Sequence, residues 1–530
     1  MRQSFGMSRR KRFLKNGILL TLVALAMRGV GLFSSSYITR IVGAEGVGLY
    51  TLIMTLYGFA LTFATSGISL AMTNLVAAAM AKGERAVSSV VRAGVLYALG
   101  FGGAATVVLF LFAPLFGGAI LSDVRTVLPI RILALSLLPE ALLSVLTGYF
   151  VGVRRVANNA FLQVVAQIFK LSMTVFLLRR MAGEGIASAC AVLAVCATLT
   201  DAVTLLVAAL QFLCARRGAA RGEGKTALAP VCRMAFPLAV SAYLRSALLT
   251  VEHILIPSRL RLYGQSAAAS LASYGILHGM ALPLVLYPMA PLTSFAGLLV
   301  PEFAEASAAA DLRRRERMCE KTLRAALWYG IGVSSMLCLF SEELGHLFYH
   351  SAEAGRYIAM LAPVVPIMYL DHATDQMLKG IGEQVASMWI NITDSLLSVI
   401  LVYLLLPVFG VLGYAAMIIC MELYNFMLSF RRLRKKIRFR LAPLASALIP
   451  LAAAPISAAA CDRLFLMNGS VTHLPWMLLK LLFCICVYIG ASTILSALFE
   501  RIFSAKKRRV SFCPFPLLRG ENAPKNCEKL

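Results

Sequence analysis

Arg28 and Arg245 stand near the middle of long apolar runs, where leucine would be the ordinary choice. The guanidinium is a planar fork of donors that keeps its charge and grips phosphate at two points. Two such residues at membrane depth favour an anionic, phosphate-bearing ligand. The plainer alternative is that each is neutralised by a carboxylate, as Glu252, two turns along, could neutralise Arg245. Glu140, Lys170, Asp201, Glu252, Glu302, Asp371, Asp375, Asp394 and Glu422 also fall inside or at the ends of apolar segments. Each charge at the bilayer centre costs about 2.5–3.5 kcal/mol on insertion scales, so each needs a partner or a task. Glu252, Asn391, Asp394 and Glu422 offer oxygen ligands for a small cation such as Na+, or carboxylates that carry H+. Asn391 and Asp394, three apart, share a helical face. Hydrogen bonding between helices would explain them equally well.

Other chemistries find less support. No GxxxxGK[ST] loop is present, which argues against direct ATP coupling, and no long extramembrane loop carries paired carboxylates as a membrane glycosyltransferase would. No cofactor is implied beyond a coupling ion. His346 and His350 form the one metal-spaced histidine pair, in "SEELGHLFYHSAEAG" (341–355), which reads as a solvated loop rather than a metal site. Cys190, Cys196, Cys338, Cys420, Cys484 and Cys486 sit mid-segment without CxxC spacing and read as small apolar fillers. Asn468-Gly469-Ser470 fits a glycosylation sequon.

The elements that must position these residues are membrane helices. The 530-residue chain is 59% hydrophobic and 14% charged, with a mean hydropathy of +0.79. About fourteen apolar segments reach the roughly 18 residues needed to cross a bilayer. They are too long and too uniform for the alternating strands of an outer-membrane barrel. The formal charge of +26 could suggest nucleic acid, but its placement excludes it. With a cytoplasmic N-terminus, roughly 37 Lys and Arg fall in inward loops and tails and about 9 outside, as the positive-inside rule demands. Arg313-Arg314-Arg315, "RRLRKK" (431–436) and "KKRR" (506–509) are then topology signals that also contact anionic membrane lipids. "RRKR" (9–12) precedes a run too long for a cleaved signal peptide, so it opens the first span.

Two regions about 225 residues apart share a pattern, the mark of an internal repeat. "YFVGVRRVANNAFLQVVAQIF" (149–169) and "MLKGIGEQVASMWINITDSLL" (377–397) each end a helix at a glycine, Gly152 or Gly380, turn briefly and start another. "NLVAAAMAKGE" (74–84) and "LLVPEFAEASAAA" (298–310) form a second pair. About six spans separate the copies, so they run in parallel. Matching breaks in two halves point to a transport path. One is "ATSGISLAMTNLVAAAMAKGE" (64–84), with Gly67 as the break and Ser69 and Asn74 beside it. The other is "LPLVLYPMAPLTSFAGLLVP" (282–301), with Pro288 and Pro291. Close helix packing through small residues is the competing account of Gly67.

"YITRIVGAEGVGLYTLIMTLYGFALTFATSGISLAMTNLVAAAMAKGE" (37–84) resembles the opening of the stage V sporulation protein B group of polysaccharide transporters. That group is similar to the lipid II flippases of the multidrug/oligosaccharidyl-lipid/polysaccharide exporter superfamily. "RLRLYG" (259–264), "LLVPEFAEA" (298–306), "LKGIGEQVASMWINI" (378–392) and "LPVFGVLGYA" (406–415) extend the likeness. Where that family tends to carry Arg-Gly-Tyr, Pro-Thr and a Gln-x-x-Glu-Gln-x-x-Arg helix, this chain has Thr147, Asn159-Ala160, Ala166 and Lys170, while Gln163 and Gln167 remain. The resemblance implies two pseudo-symmetric lobes, alternating access and a lipid-linked sugar as substrate. It makes Arg28 a counterpart of a first-helix arginine that handles substrate, and Glu252, Asn391 and Asp394 loose counterparts of a cation site.

The expectation is an all-α polytopic bacterial plasma-membrane protein with both termini cytoplasmic. It has a basic N-terminus (1–12), an N-lobe (13–215), a basic linker (216–228), a C-lobe (229–440), two appended helices (441–500) and a basic tail (501–530). Its expected task is to flip an undecaprenyl-pyrophosphate-linked precursor, with Arg28, Arg245, Ser69 and Asn74 on the substrate. The alternatives are a cation-coupled drug exporter of the same superfamily, or a scaffold that recruits cell-wall or sporulation enzymes through its loops and tail.

Overall fold

The computed structural model describes residues 9–65, 67–80, 83–180, 185–215, 228–309, 311–439, 443–465 and 474–503. The sequon, residues 216–227 of the linker and the tail from 504 lie outside the described residues. Helices and turns, and no strands, make up what is described. In chain order the α-helices are α1 (Arg9–Thr65), α2 (Ile68–Met80), α3 (Glu84–Leu111), α4 (Val127–Ala134), α5 (Leu137–Gly152), α6 (Val156–Arg180), α7 (Ile186–Ala215), α8 (Leu228–Leu262) and α9 (Ala267–Tyr274). They continue as α10 (Leu282–Leu286), α11 (Ala290–Ala308), α12 (Leu312–Leu339), α13 (Ser341–Tyr349), α14 (Ala352–Leu361), α15 (Val365–Gly380), α16 (Gln384–Lys436), α17 (Pro443–Phe465) and α18 (Leu474–Phe503).

Ten of these segments are long and apolar enough to cross a membrane, or up to eleven if the bent pair Val124–Ala134 and Leu137–Gly152 forms one span. Fourteen separate spans are therefore not resolved by length and composition. One reason is that two continuous helical stretches each hold two of the expected centres. Ala26–Met80 turns at Gly43 (φ 73°) and α16 turns at Gly410 (φ 57°), three residues after Pro407. A positive φ favours glycine, and at Gly410 a Cβ would also stand 2.7 Å from the Tyr263 ring. Another reason lies at 352–380, where the expected span is divided into α14 and α15 and Asp371, His372 and Asp375 lower its hydropathy.

The chain divides into two compact units. The first comprises Ala26–Met280 and Asn391–Met417; the second comprises Met1–Leu25, Ala281–Ile390 and Ile418–Leu530. Within the first unit α2, α3 and α5 pack on one another, and within the second α11, α12 and α15 make the same threesome. Glycines set both. A Cβ at Gly152 would lie 2.9 Å from the Thr73 carbonyl oxygen on α2, and one at Gly380 would lie 2.7 Å from Phe303 Cβ on α11. A Cβ at Gly102 would meet Ala141 Cβ at 2.7 Å, and one at Gly330 would meet Pro366 Cα at 2.8 Å. Gly380 and Gly330 each follow their counterparts by 228 positions, so the repeat read from the sequence is a repeat of packing.

The backbone breaks at Gly67, whereas the run through Pro288 and Pro291 stays helical with one 3-10 turn. Gly67 adopts φ 77° between α1 and α2, and its Cα lies so close to α8 that a Cβ would meet the Ala235 carbonyl oxygen at 2.3 Å. Pro288 lies in a 3-10 turn, Tyr287–Met289, and Pro291 in the first turn of α11. The carbonyl at Pro288 accepts a hydrogen bond from Tyr329 Oη on α12 at 2.6 Å, which satisfies a backbone group at that turn.

In the second unit the basic groups read as topology signals also bind carboxylates. Arg314 reaches Glu302 at 2.5 Å, while Arg432 and Lys436 both hold Glu383 at 2.7 Å. The segment 341–355, expected to be a solvated loop, is instead α13 and the start of α14, meeting at a left-handed His350. The His350 Nδ1 lies 2.8 Å from the carbonyl of His346, so this pair closes the end of α13.

Candidate functional site

The first unit gathers three of the expected site residues. Helix α8 supplies Arg245 and Glu252, two turns apart, and the part of α16 in this unit supplies Asp394. Glu252 is buried near Ser398 and feels the charge of Asp394; Asp394 in turn feels the charge of Arg245. The charge of Arg245 acts on Asp394 rather than on Glu252, without a direct ion pair between them among the described residues. Two further contacts seat α16 on the end of α8: Arg259 lies 3.5 Å above the centre of the Tyr403 ring, and Tyr263 packs on Gly410.

Asp394 Oδ1 is buried and has no hydrogen-bond partner among the described residues. A buried carboxylate oxygen left open is costly, and a monovalent cation or a proton would satisfy it. The donor set fits that role, with two carboxylates and a serine hydroxyl. Among the described residues no three His, Cys, Asp or Glu converge as a metal centre would need.

Asn391 lies one turn before Asp394 in the same unit and is half-buried. Glu422 belongs to the second unit. Arg28 is half-buried on α1, and Arg245 is exposed. Ser69 and Asn74 are exposed on α2, where the Ser69 carbonyl itself packs against Gly148 of α5 and Thr73 and Val76 pack against Gly152. Gly67 lies at the break between α1 and α2, while Pro288 lies in a 3-10 turn and Pro291 inside α11.

Sequence reasoning missed a cluster beside Glu252. His253 Nδ1 lies 2.8 Å from Tyr274 Oη, the His253 and His278 rings are 4.4 Å apart between centroids, and His278 lies 5.3 Å from Tyr414. Tyr274, on α9, also reaches Thr55 of α1 at 3.5 Å. The signal available was His253 directly after Glu252, with His278 alone in an apolar run. Neither has metal spacing, so neither stood out.

The family model described as "Polysaccharide biosynthesis protein" matches residues 13–307, more than half of the chain. The chain belongs to this family. A second family model, described as MatE, matches residues 261–404. Stage V sporulation protein B of Bacillus subtilis (strain 168) is 26% identical over 426 residues, covering 77% of this chain and 81% of that protein. Lipid II flippase MurJ of the same organism is 26% identical over 455 residues, covering 79% and 82%. Among solved structures, an inward closed conformation of lipid II flippase MurJ matches with a TM-score of 0.67 and 14% identity, covering 92% of this chain and all of that one. An inward-facing multidrug resistance MATE transporter matches with a TM-score of 0.64 and 14% identity, covering 78% and 98%. Likenesses at that identity show the fold. Together with the family and the relatives, they make this polysaccharide biosynthesis family member a multi-pass membrane transporter of the multidrug/oligosaccharidyl-lipid/polysaccharide exporter superfamily.

Proposed function

We propose that the chain is a plasma-membrane flippase that moves an undecaprenyl-pyrophosphate-linked cell-wall or polysaccharide precursor outward by alternating access of two lobes, 13–215 and 229–440. The observation that carries this reading is the placement of Arg28 and Arg245 in apolar helices of a chain related to a lipid II flippase. The two guanidinium groups hold the pyrophosphate, and the lipid tail stays in the bilayer. The charge of Arg245 acts on Asp394, so a pyrophosphate on Arg245 competes with that carboxylate. Na+ or H+ at Asp394 and Glu252 would weaken that carboxylate's hold, which is a direct way to couple an ion to substrate. Ser69 and Asn74 line the path; Gly67, Pro288 and Pro291 are its hinges. Both termini are cytoplasmic, by the distribution of basic residues. The likeness to stage V sporulation protein B favours a role in spore cortex or cell-wall synthesis, alongside the enzymes of that process.

The test is flipping in proteoliposomes. The purified protein is given a lipid-linked disaccharide-peptide precursor, and an impermeant enzyme reads its outward exposure. Exposure that requires the protein and is lost in Arg28→Ala supports the reading; retained transport removes Arg28 from the mechanism. A second reading, a cation-coupled drug exporter, is favoured by the Glu252–Asp394 pair, which would attract cationic drugs. It predicts efflux of such drugs and no exposure of the lipid.

A further inference from the structure

The C-terminal half of α6 has two unlike faces. One is held: Leu178 packs with Val42, Leu193 and Cys196 in a buried cluster that joins α6 to α1 and α7. The other borders a groove of about 520 Å³ between α6 and α1, a volume within the usual range for ligand sites. Its apolar wall is Phe33 from α1 with Leu171, Val175 and Phe176 from α6, and Arg179 and Arg180 close one end. A hydrogen bond of 3.4 Å from Tyr37 Oη to the Val175 carbonyl fixes the two helices side by side. From Leu171 to Arg180 the helix rises roughly 14 Å.

Apolar along the helix and cationic at its end is the order of a phospholipid from acyl chain to headgroup. Both arginines are exposed, and among the described residues neither forms an ion pair with a carboxylate. The Arg180 guanidinium lies 4.5 Å from the centre of the Phe176 ring, which holds it over the groove wall and leaves its N–H edge for an anion. Phe33 is 60% exposed and Phe176 52%, so a chain laid between them would cover both rings. A soluble phosphate would leave that wall bare. A zwitterionic headgroup would bring its own cation against the arginines; an anionic one does not.

Two plainer roles for the arginines fall short. Both stand in the last turn of α6, where a cation offsets the negative end of the helix dipole, but that role asks for no groove beside them. Nor does topology call for them. With the N-terminus cytoplasmic, as proposed above, α6 ends outside, where the positive-inside rule makes basic residues scarce.

We propose that the α1–α6 groove binds an anionic two-chain phospholipid of the bilayer, with Arg179 and Arg180 on its phosphate and an acyl chain along Phe33, Leu171, Val175 and Phe176. This lipid is bound rather than carried, so the assignment stands or falls independently of the flippase reading. The experiment is native mass spectrometry of the full chain, delipidated in detergent and titrated with dioleoyl phosphatidylglycerol or dioleoyl phosphatidylcholine. Wild-type protein binds its first phosphatidylglycerol more tightly than its first phosphatidylcholine. With Arg179→Gln and Arg180→Gln together, the dissociation constant for phosphatidylglycerol rises about thirtyfold, the loss of two arginine–headgroup attractions, and the preference disappears. If that double variant does not fold, Arg180→Gln alone carries the prediction at about fivefold. Arg154→Gln with Arg155→Gln is the control, removing the same charge from an exposed pair before the other end of α6, and it leaves the constant unchanged. Phe33→Ala keeps every charge and also weakens the dioleoyl lipid. No preference in the wild type, equal losses from the two arginine pairs, or an unaffected Phe33→Ala overturns the proposal. So does displacement of bound phosphatidylglycerol by equimolar undecaprenyl pyrophosphate, because the groove would then belong to the transported lipid.

Discussion

Replacing Gly152 or Gly380 by alanine tests whether the repeat is a repeat of packing. At Gly152 the new Cβ would lie 2.9 Å from both the Thr73 carbonyl oxygen and Val76 Cβ; at Gly380 it would lie 2.7 Å from Phe303 Cβ and 3.1 Å from the Val300 carbonyl oxygen. Ordinary contacts are several tenths of an ångström longer, so α5 must withdraw from α2, and α15 from α11. Overpacking of this kind costs about 1–3 kcal/mol. Alanine's advantage over glycine in a helix, roughly 0.5–1 kcal/mol, offsets part of it, but both glycines end their helices and gain less. The net expectation is a loss of about 1–2 kcal/mol for each variant. Gly100→Ala on α3 is the control. Nothing lies within 4 Å of its Cβ, so the variant keeps or slightly raises stability. Thermal unfolding of the three variants in one detergent, followed by intrinsic fluorescence, gives the ranking without assuming two-state behaviour. Gly152→Ala and Gly380→Ala should melt several degrees below the wild type and near each other. If either melts with Gly100→Ala, the glycines are not packing constraints and the argument from equivalent contacts fails.

Four further outcomes can be checked. Arg28→Ala reduces lipid exposure in proteoliposomes to the protein-free background, and Arg245→Ala lowers it without altering sodium dependence more than Asp394→Asn does. If Na+ occupies the Asp394–Glu252 cluster, wild-type protein gains about 2.7 kcal/mol of stability at a hundred times the dissociation constant. Melting in NaCl against KCl shows this gain, and Asp394→Asn abolishes it. The Glu383 carboxyl, held below its ordinary range by hydrogen bonds from Lys436 and then Arg432, stabilises the fold above its unfolded pKa of about 4.3. Acidification through and below that value loses the contribution, so Glu383→Gln flattens the acid limb of a pH–melting curve. At neutral pH it costs less than about 1 kcal/mol, because solvent screens the pair. Tyr329→Phe removes the bond to the Pro288 carbonyl and costs about 1 kcal/mol, read as a lower melting temperature.

What was legible in the sequence was local or periodic. The turn after Gly152 and the turn after Gly380 were placed to the residue, because glycine followed by polar residues is a short-range signal; α6 begins at Val156 and α16 at Gln384. The break at Gly67 and the 3-10 turn at Pro288 were legible for the same reason. Their physical cause was only half visible, since the approach of Ala235 to Gly67 joins residues 168 positions apart in the chain. Span number was harder to read. A glycine turn inside α1 or α16 leaves helix on both sides, so hydropathy finds two centres where the helix has no gap. The charges were the hardest. Their positions were plain from the sequence, but their partners were not: the charge of Arg245 acts on Asp394 rather than on nearby Glu252. Glu140, Lys170 and Asp201 come together from three helices about thirty residues apart in sequence. In an apolar segment a charge is conspicuous because the bilayer penalises it. The same penalty requires a partner from another helix, and tertiary packing chooses that partner. A list of intramembrane charges therefore marks where chemistry occurs; the pairing decides whether the site holds an anion or a cation.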